Sequence, residues 1–214
     1  MKIPYHIAIE GTIGVGKTSL AKILGERLDA KLIIEEFEEN PFLVEFYKDA
    51  KHYAFQTQLF FLLSRYRQQQ LLQQTDLFTK TLISDYMFVK DRLFAALNLD
   101  DKEMSLYNSV ASILEKSVSS PDMVIFLQSD TDRLMHNIRA RGRDYEKMIN
   151  WKYIDSLNQM YNEYFFRYDE SPLLIINTND IDFVNNKNDL EEIIQFIRTP
   201  GEGTRYFNPL KSIS

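Results

Sequence analysis

The chain has 214 residues, 44% of them hydrophobic, no cysteine and a formal net charge of −6. This suits one domain with a substantial core, leaves no material for a disulfide framework or a thiolate site, and lacks the extended basic face that a polymeric nucleic-acid partner requires. No run of about 18 apolar residues suggests a membrane span or a membrane partner. Met1-Lys2-Ile3-Pro4 leads into an apolar segment without a signal-like stretch, so a cytoplasmic location is expected.

In chain order, His6–Glu10 reads as a short buried strand, and Gly11-Thr12-Ile13-Gly14-Val15-Gly16-Lys17-Thr18 follows it with the pattern G-x-x-x-x-G-K-[ST] of a phosphate-binding loop. From Lys17 to Leu28 the apolar residues Leu20, Ile23, Leu24 and Leu28 recur at helical spacing. Strand, glycine loop and helix suit phosphate binding. Glycines let backbone N–H groups curl around phosphate oxygens, and the helix start adds its positive dipole end. Lys17 is expected to reach the β- and γ-phosphates of a nucleotide.

Lys31–Glu35 and Leu82–Asp85 read as further strands, with a long helical pattern from His52 to Gln74 between them. On that helix Gln58 and Arg65 lie seven residues apart and share a face beside aromatics. Such a row is either solvated or able to read the edge of a heterocycle, whereas Gln68-Gln69-Gln70 reads as a solvated run. Ser117–Pro121 is a turn, Met123–Leu127 a strand, and Ser129 with Asp132 forms a capping-box pattern for a helix running to Arg141. That helix ends in Arg139-Ala140-Arg141-Gly142-Arg143. These are either cations placed for the helix dipole or a mobile arginine lid over transferring phosphates, and the upstream loop favours the lid.

Leu173–Asn177 is the fifth strand segment, Asn177–Asn188 a loop, and Asn188 with Glu191 opens the last helix. The expected fold is α/β: a P-loop kinase with a five-stranded parallel sheet, helices on both faces and an arginine-containing lid at about 139–149. A single domain covers 1–198, and Thr199–Ser214 reads as an irregular tail.

Three of the five strand segments end in or beside a carboxylate, Glu10, Glu35 and Asp85, where an open α/β sheet gathers its ligands. Phosphoryl transfer needs a cradle, a metal, a base near the acceptor hydroxyl and cations over the γ-phosphate. Thr18 and Asp85 are the Mg²⁺ candidates, Glu35 or Glu36 the base, and Arg141 and Arg143 the closing cations. A signalling GTPase fits less well, because no Asp-x-x-Gly segment follows the third strand and no Asn-Lys-x-Asp guanine reader is expected. His6, His52 and His136 are scattered and read as core or surface residues.

Together these residues resemble the deoxyribonucleoside kinase family, in particular its bacterial purine-type members, over about Ile7 to Ile197. Glu35-Glu36-Phe37-Glu38-Glu39-Asn40-Pro41-Phe42 looks like the family's Glu-Pro-Val segment with its following Asn-Pro, Glu36 standing where proline is usual. The resemblance makes Glu35 the base for the 5′-hydroxyl and gives Tyr47 and Glu146 the sugar 3′-hydroxyl. Gln58 becomes the base reader, with Arg65 paired to Asp91 and Phe61 narrowing the pocket on the same face. It assigns ATP to Gly11 through Lys17, Thr18 and Ser19, with Arg139, Arg141 and Arg143 in the lid and Asp182-Phe183 around the adenine.

Two departures stand out. Asp85-Tyr86-Met87 replaces the usual acid-Arg-Ser, so Tyr86 stands in the substrate site in place of an arginine, and Lys90 or Arg92 is a candidate for the missing charge. Asn137 stands where the lid helix commonly carries its first arginine; Arg139, about 200° further round the helix, is no simple substitute. A glutamine amide pairs with either kind of base, but the Arg65–Asp91 pair points to a purine, with deoxycytidine next.

The leading reading is ATP- and Mg²⁺-dependent phosphorylation of a deoxyribonucleoside in nucleotide salvage. The competing readings are a thymidylate-type monophosphate kinase and, because of Tyr86 and Asn137, a nucleotide-binding subunit without kinase activity. The resemblance also implies a homodimer joined through Phe88–Leu97 and Trp151–Tyr168, aromatic segments that ordinary core packing explains equally well.

Overall fold

The structure, a computed structural model, describes residues 5–73, 81–179, 181–199 and 201–207. Residues 1–4, Gln74 at the expected end of the long helix, and the tail beyond Phe207 lie outside them. The chain runs β1 (His6–Gly11), α1 (Lys17–Leu28), β2 (Lys31–Ile33), α2 (Leu43–Lys48), α3 (Ala50–Gln73), β3 (Leu82–Ser84), α4 (Lys90–Asn98) and α5 (Asp101–Leu114). It continues through β4 (Met123–Gln128), α6 (Thr131–Arg141), α7 (Trp151–Phe166), β5 (Leu173–Asn177), α8 (Lys187–Arg198) and β6 (Thr204–Phe207).

The strands form one sheet in the order β2-β3-β1-β4-β5-β6, and every described pairing is parallel. β1 is buried along its whole length, which explains why it reads as a continuous apolar run rather than an alternation. The connection leaving β1 runs toward β2, while the one leaving β3 crosses to β4 on the other side. At such a switch point a crevice opens at the carboxyl ends of the two strands. Glu35 and Asp85 lie just past the ends of β2 and β3, so both leave the sheet where that crevice begins.

The sheet has six strands, not the expected five. β6 falls in the tail that reads as irregular, with Phe207 buried edge-on against Phe196 of α8. Arg205 donates to the carbonyls of Thr199 and Phe196 at the end of α8, which ties the strand down. Four residues between Gly203 and Asn208-Pro209 are too short a pattern to announce a strand.

Three local expectations also differ. Asp130, not Ser129, is the N-cap of α6, with no side-chain bond; the Ser129 hydroxyl donates to Asn179, and Asp132 accepts from the Trp151 indole. Asn186 caps α8, two residues before the expected start, accepting from the Asn188 N–H at 2.9 Å. Gln69 is buried, and Gln68 accepts from the Tyr86 hydroxyl at 2.7 Å and donates to the Ile34 carbonyl, so that stretch faces the chain just past β2 and β3.

The aromatics of α7 divide between roles. Ile154, Leu157, Tyr161 and Phe165 fill the core, with Phe126 and Phe165 stacked at 4.3 Å, while Phe166 is exposed. Among the described residues no helix is long and apolar enough to cross a membrane.

His6 illustrates how the core sets a titration. Its Nε2 lies 2.9 Å from the Ser84 hydroxyl, and burial pushes the imidazole down to about 4, against a smaller upward pull from Asp122. A depressed folded pKa means that the stability is present above the unfolded value of about 6.5 and is lost as pH falls toward 4. Urea unfolding is expected to show on the order of 3 kcal/mol of loss across that window attributable to this group. His6→Gln should flatten that part of the curve; an unchanged slope would remove His6 from the account.

Candidate active site

The loop between β1 and α1 meets the test for a phosphate cradle. Gly11 and Gly14 have φ of 149° and 89°, and a Cβ on either would come within 2.5 Å and 2.7 Å of the carbonyl oxygens of Leu127 and Leu134. Only glycine fits, and the loop is left wrapped around open space. The Thr12 hydroxyl donates to Asn158 Oδ1 at 2.8 Å, and Asn158 donates in turn to the Ser129 carbonyl, so α7 holds the loop from behind. The Asn137 amide donates to the Gly14 carbonyl at 2.8 Å. The residue standing where an arginine is usual thus braces the cradle.

Lys17 Nζ folds back onto the Gly11 and Thr12 carbonyls, at 2.7 and 3.2 Å. Burial, then the nearby Lys90 charge, pushes its ammonium down to about 8 against the pull of Glu10, Glu35 and Asp85. A bound polyphosphate supplies the negative charge that would reverse this. The Thr18 hydroxyl donates to Asp85 Oδ2, and Asp85 Oδ1 accepts from the Glu35 N–H at 2.8 Å. One carboxylate therefore ties the first turn of α1 to the segment that carries Glu35.

A hydroxyl and a carboxylate beside the cradle fit Mg²⁺, which takes few protein ligands and completes its shell with phosphate oxygens and water. No cluster of three or more His, Cys, Asp or Glu suited to a metal occurs among the described residues.

A cavity of about 610 Å³ extends from this point. Ile13, Gly14, Gly16, Lys17, Thr18 and Ser19 line its phosphate end; Glu35, Asp85 and Lys90 its middle; Tyr47, Thr57, Gln58, Phe61 and Arg65 its far end. Arg141, Arg143, Tyr145 and Glu146 close over it. In the middle, Arg65 bonds Glu35 with one guanidinium nitrogen and Asp91 with another, and Lys90 donates to the second oxygen of Glu35. Burial alone would push the Glu35 carboxyl up, but Arg65 and Lys90 outweigh it and hold the group well below the usual carboxylate range.

At the far end, Gln58 is 1% exposed, and its Oε1 is buried without a hydrogen-bond partner; the same is true of Thr57 Oγ1 and Arg65 Nε. Buried polar atoms without partners are costly, and the three residues that carry these line a cavity large enough for a heterocycle.

Over the cavity, Arg141 grips Glu146 with two bonds, at 2.6 and 3.0 Å. Arg143 lies over the Phe37 ring at 4.3 Å, and Tyr145 stacks on Tyr47 at 6.0 Å. The arginine segment is thus latched to Glu146 and to the segment before α2.

Several expected site residues stand behind the cavity wall or away from it. Gly11, Thr12 and Val15 form the back of the loop, and Tyr86 and Asp91 lie behind Arg65. Arg139 is exposed on α6, Asp182 accepts from the Val184 and Asn185 N–H groups, and Phe183 packs against Gly16.

Of the two candidates for the charge missing at Tyr86, Lys90 faces Glu35 while Arg92 is taken up by Glu115. The chain does contain one string with the letters Asn-Lys-x-Asp, the guanine reader of signalling GTPases, at Asn186–Asp189. Its side chains are spent on the start of α8, Asn186 on the Asn188 N–H and Asp189 on the Asp182 N–H. Tyr145 and Asn158 had no sequence signal, because each acts through a partner remote in the chain, Tyr47 and Thr12.

A family model described as deoxynucleoside kinase matches residues 7–200. Among curated relatives, the chain is 34% identical to a deoxyguanosine kinase of Bacillus subtilis, over 90% of this chain and 95% of that one. It is also 34% identical to a deoxyadenosine kinase of Dictyostelium discoideum, over 96% and 82%. Among solved structures, a deoxyadenosine kinase from M. mycoides with bound dATP superposes with a TM-score of 0.78 at 26% identity, covering 91% of this chain and all (100%) of that one.

Proposed function

The chain belongs to the deoxynucleoside kinase family, and from that premise we propose that it transfers the γ-phosphoryl group of ATP to the 5′-hydroxyl of a purine deoxyribonucleoside, with Mg²⁺, in nucleotide salvage. The observation that carries the base assignment is the buried Gln58 amide: its oxygen lacks a partner, as does Nε of Arg65, and both residues line the cavity. An acceptor and a donor on one helix face suit the mixed edge of a purine.

In this reading Tyr47 and Glu146 hold the 3′-hydroxyl, Phe61 narrows the base pocket, and Glu35 accepts the 5′-hydroxyl proton. Lys17 and the loop N–H groups hold the β- and γ-phosphates. Thr18 and Asp85 would hold Mg²⁺, which when bound neutralises phosphate charge and orients the γ-phosphoryl group. Arg141 and Arg143 leave Glu146 and Phe37 to close over the phosphates, so the segment at about 139–149 works as a lid. Arg139, Asp182 and Phe183 border the adenine of ATP. The reading includes a cytoplasmic location and a homodimer through α4 and α7, where Leu93, Met160, Tyr164 and Tyr168 border a hollow.

The test is steady-state turnover with ATP–Mg²⁺ on deoxyguanosine, deoxyadenosine, deoxycytidine, thymidine, dTMP and dGMP. A purine deoxyribonucleoside is expected to have the highest kcat/KM. Turnover only of a monophosphate would replace this reading with a monophosphate kinase. Bound ATP without turnover of any acceptor would replace it with a nucleotide-binding subunit.

A further inference from the structure

Lys90 occupies a place that local stability does not explain. It is the first residue of α4, where the helix dipole disfavours a cation. It is also 5% exposed, where an ammonium loses most of its hydration. Among the described residues its ammonium has one hydrogen-bond partner, Glu35 Oε2, with the Phe94 ring at 5.7 Å. An ammonium carries three donors, so two remain for the cavity it lines.

Arg65, the other cation on Glu35, differs. It is pinned from behind by Asp91 and packed over Phe61, so its position is fixed. Lys90 is held on a flexible stem, and its charge acts on both Lys17 at the phosphate end and Glu35 in the middle. It stands between the phosphate cradle and the base.

We propose that Lys90 is a catalytic residue that passes from Glu35 to the transferring phosphoryl group as the reaction proceeds. This rests on the kinase reading above. Before transfer, Lys90 and Arg65 hold the Glu35 carboxylate toward the acceptor hydroxyl. The 5′-oxygen then forms its bond to the γ-phosphorus while the bond to the β,γ-bridging oxygen breaks, its electron pair leaving on ADP. The 5′-hydroxyl proton goes to Glu35. Protonation removes the charge that held Lys90, and its ammonium turns to an equatorial oxygen of the phosphoryl group in flight. The charge is handed over inside the site with no net change, so the lysine stabilises the transition state more than the ground state.

Lys90→Gln is expected to lower kcat about 100-fold or more, with the KM values for ATP and the deoxyribonucleoside changed by less than about threefold. Because the chain has no cysteine, Lys90→Cys introduces a single thiol. Alkylating it with 2-bromoethylamine rebuilds an ammonium of lysine length, and iodoethane leaves a neutral side chain at the same place. Recovery of kcat by about tenfold or more with the amine and not with the ethyl group supports the hand-over.

Equal recovery with both reagents, no recovery with the amine in protein shown to be folded and alkylated, or an unchanged kcat in Lys90→Gln overturns it. The unsubstituted protein in the same assay separates the two readings. If it turns over no deoxyribonucleoside, the kinase reading fails; if it is active and the cysteine arm shows no charge dependence, only the role of Lys90 fails.

Discussion

Replacing Glu35 by Gln is expected to lower kcat about 10²- to 10⁴-fold while leaving the KM for ATP nearly unchanged. The amide keeps the size of the side chain and an oxygen for Arg65, but it can neither receive the hydroxyl proton nor hold Lys90 by charge. The carboxylate sits among cations that keep it ionised, so its readiness to accept a hydroxyl hydrogen bond does not depend on pH near neutrality. A base so well stabilised takes its proton as the new O–P bond forms and makes the hydroxyl acidic, so that Lys90 is released while the phosphoryl group is still in flight. The check is kcat for the preferred deoxyribonucleoside together with ATP affinity measured directly. Retention of a tenth or more of the activity, a loss of less than about tenfold, would remove Glu35 from the role of base.

The largest stability effect is expected at Arg65. Arg65→Met leaves Asp91, 1% exposed, without its countercharge, and breaking one side of a buried pair costs about 3–5 kcal/mol. For a chain of this size the melting temperature should fall by roughly 6–20 °C.

The loss should depend on pH in a defined direction. Burial pushes the Asp91 carboxyl up to about 7 even against the pull of Arg65, and without Arg65 it rises further. An acid whose folded pKa lies above its unfolded one contributes stability in the protonated form. That contribution is full below about 4 and is lost as pH rises through the folded value. Arg65→Met should therefore be closer to the unsubstituted protein at pH 5 than at pH 8. The double variant Arg65→Met with Asp91→Leu should recover most of the stability, because it removes both charges, yet should not recover activity, because Glu35 still lacks a partner. Paired thermal melts at the two pH values decide it; equal losses at both would mean that Asp91 is not the group left exposed to the penalty.

What could be read without coordinates was whatever local spacing encodes. The loop Gly11–Thr18, the strands around it, the Arg141-Gly142-Arg143 stop and the Glu35 segment each declare themselves within about ten consecutive residues. Backbone conformation and helix or strand periodicity act over that range. The parallel α/β architecture followed, since strands and helices alternate along the chain.

Tertiary structure decided everything that depends on a partner far away in sequence. Gln68–Gln70 reads as a solvated face, and only the approach of Ile34 and Tyr86, just past β2 and β3, turns it inward. Ser129 looks like a helix cap until Asn179, fifty residues on, takes its hydroxyl. β6 exists because β5 offers an edge and Phe196 a surface for Phe207, neither of which is visible in four residues of the tail. Lys90 and Arg92 were equivalent as letters; the fold turns one to Glu35 and the other to Glu115. Local pattern determined the elements and the phosphate chemistry, and the charges around Glu35 were assigned only when chain segments 26 to 55 residues apart closed on one another, because electrostatic pairing depends on distance in space and carries no signature in sequence.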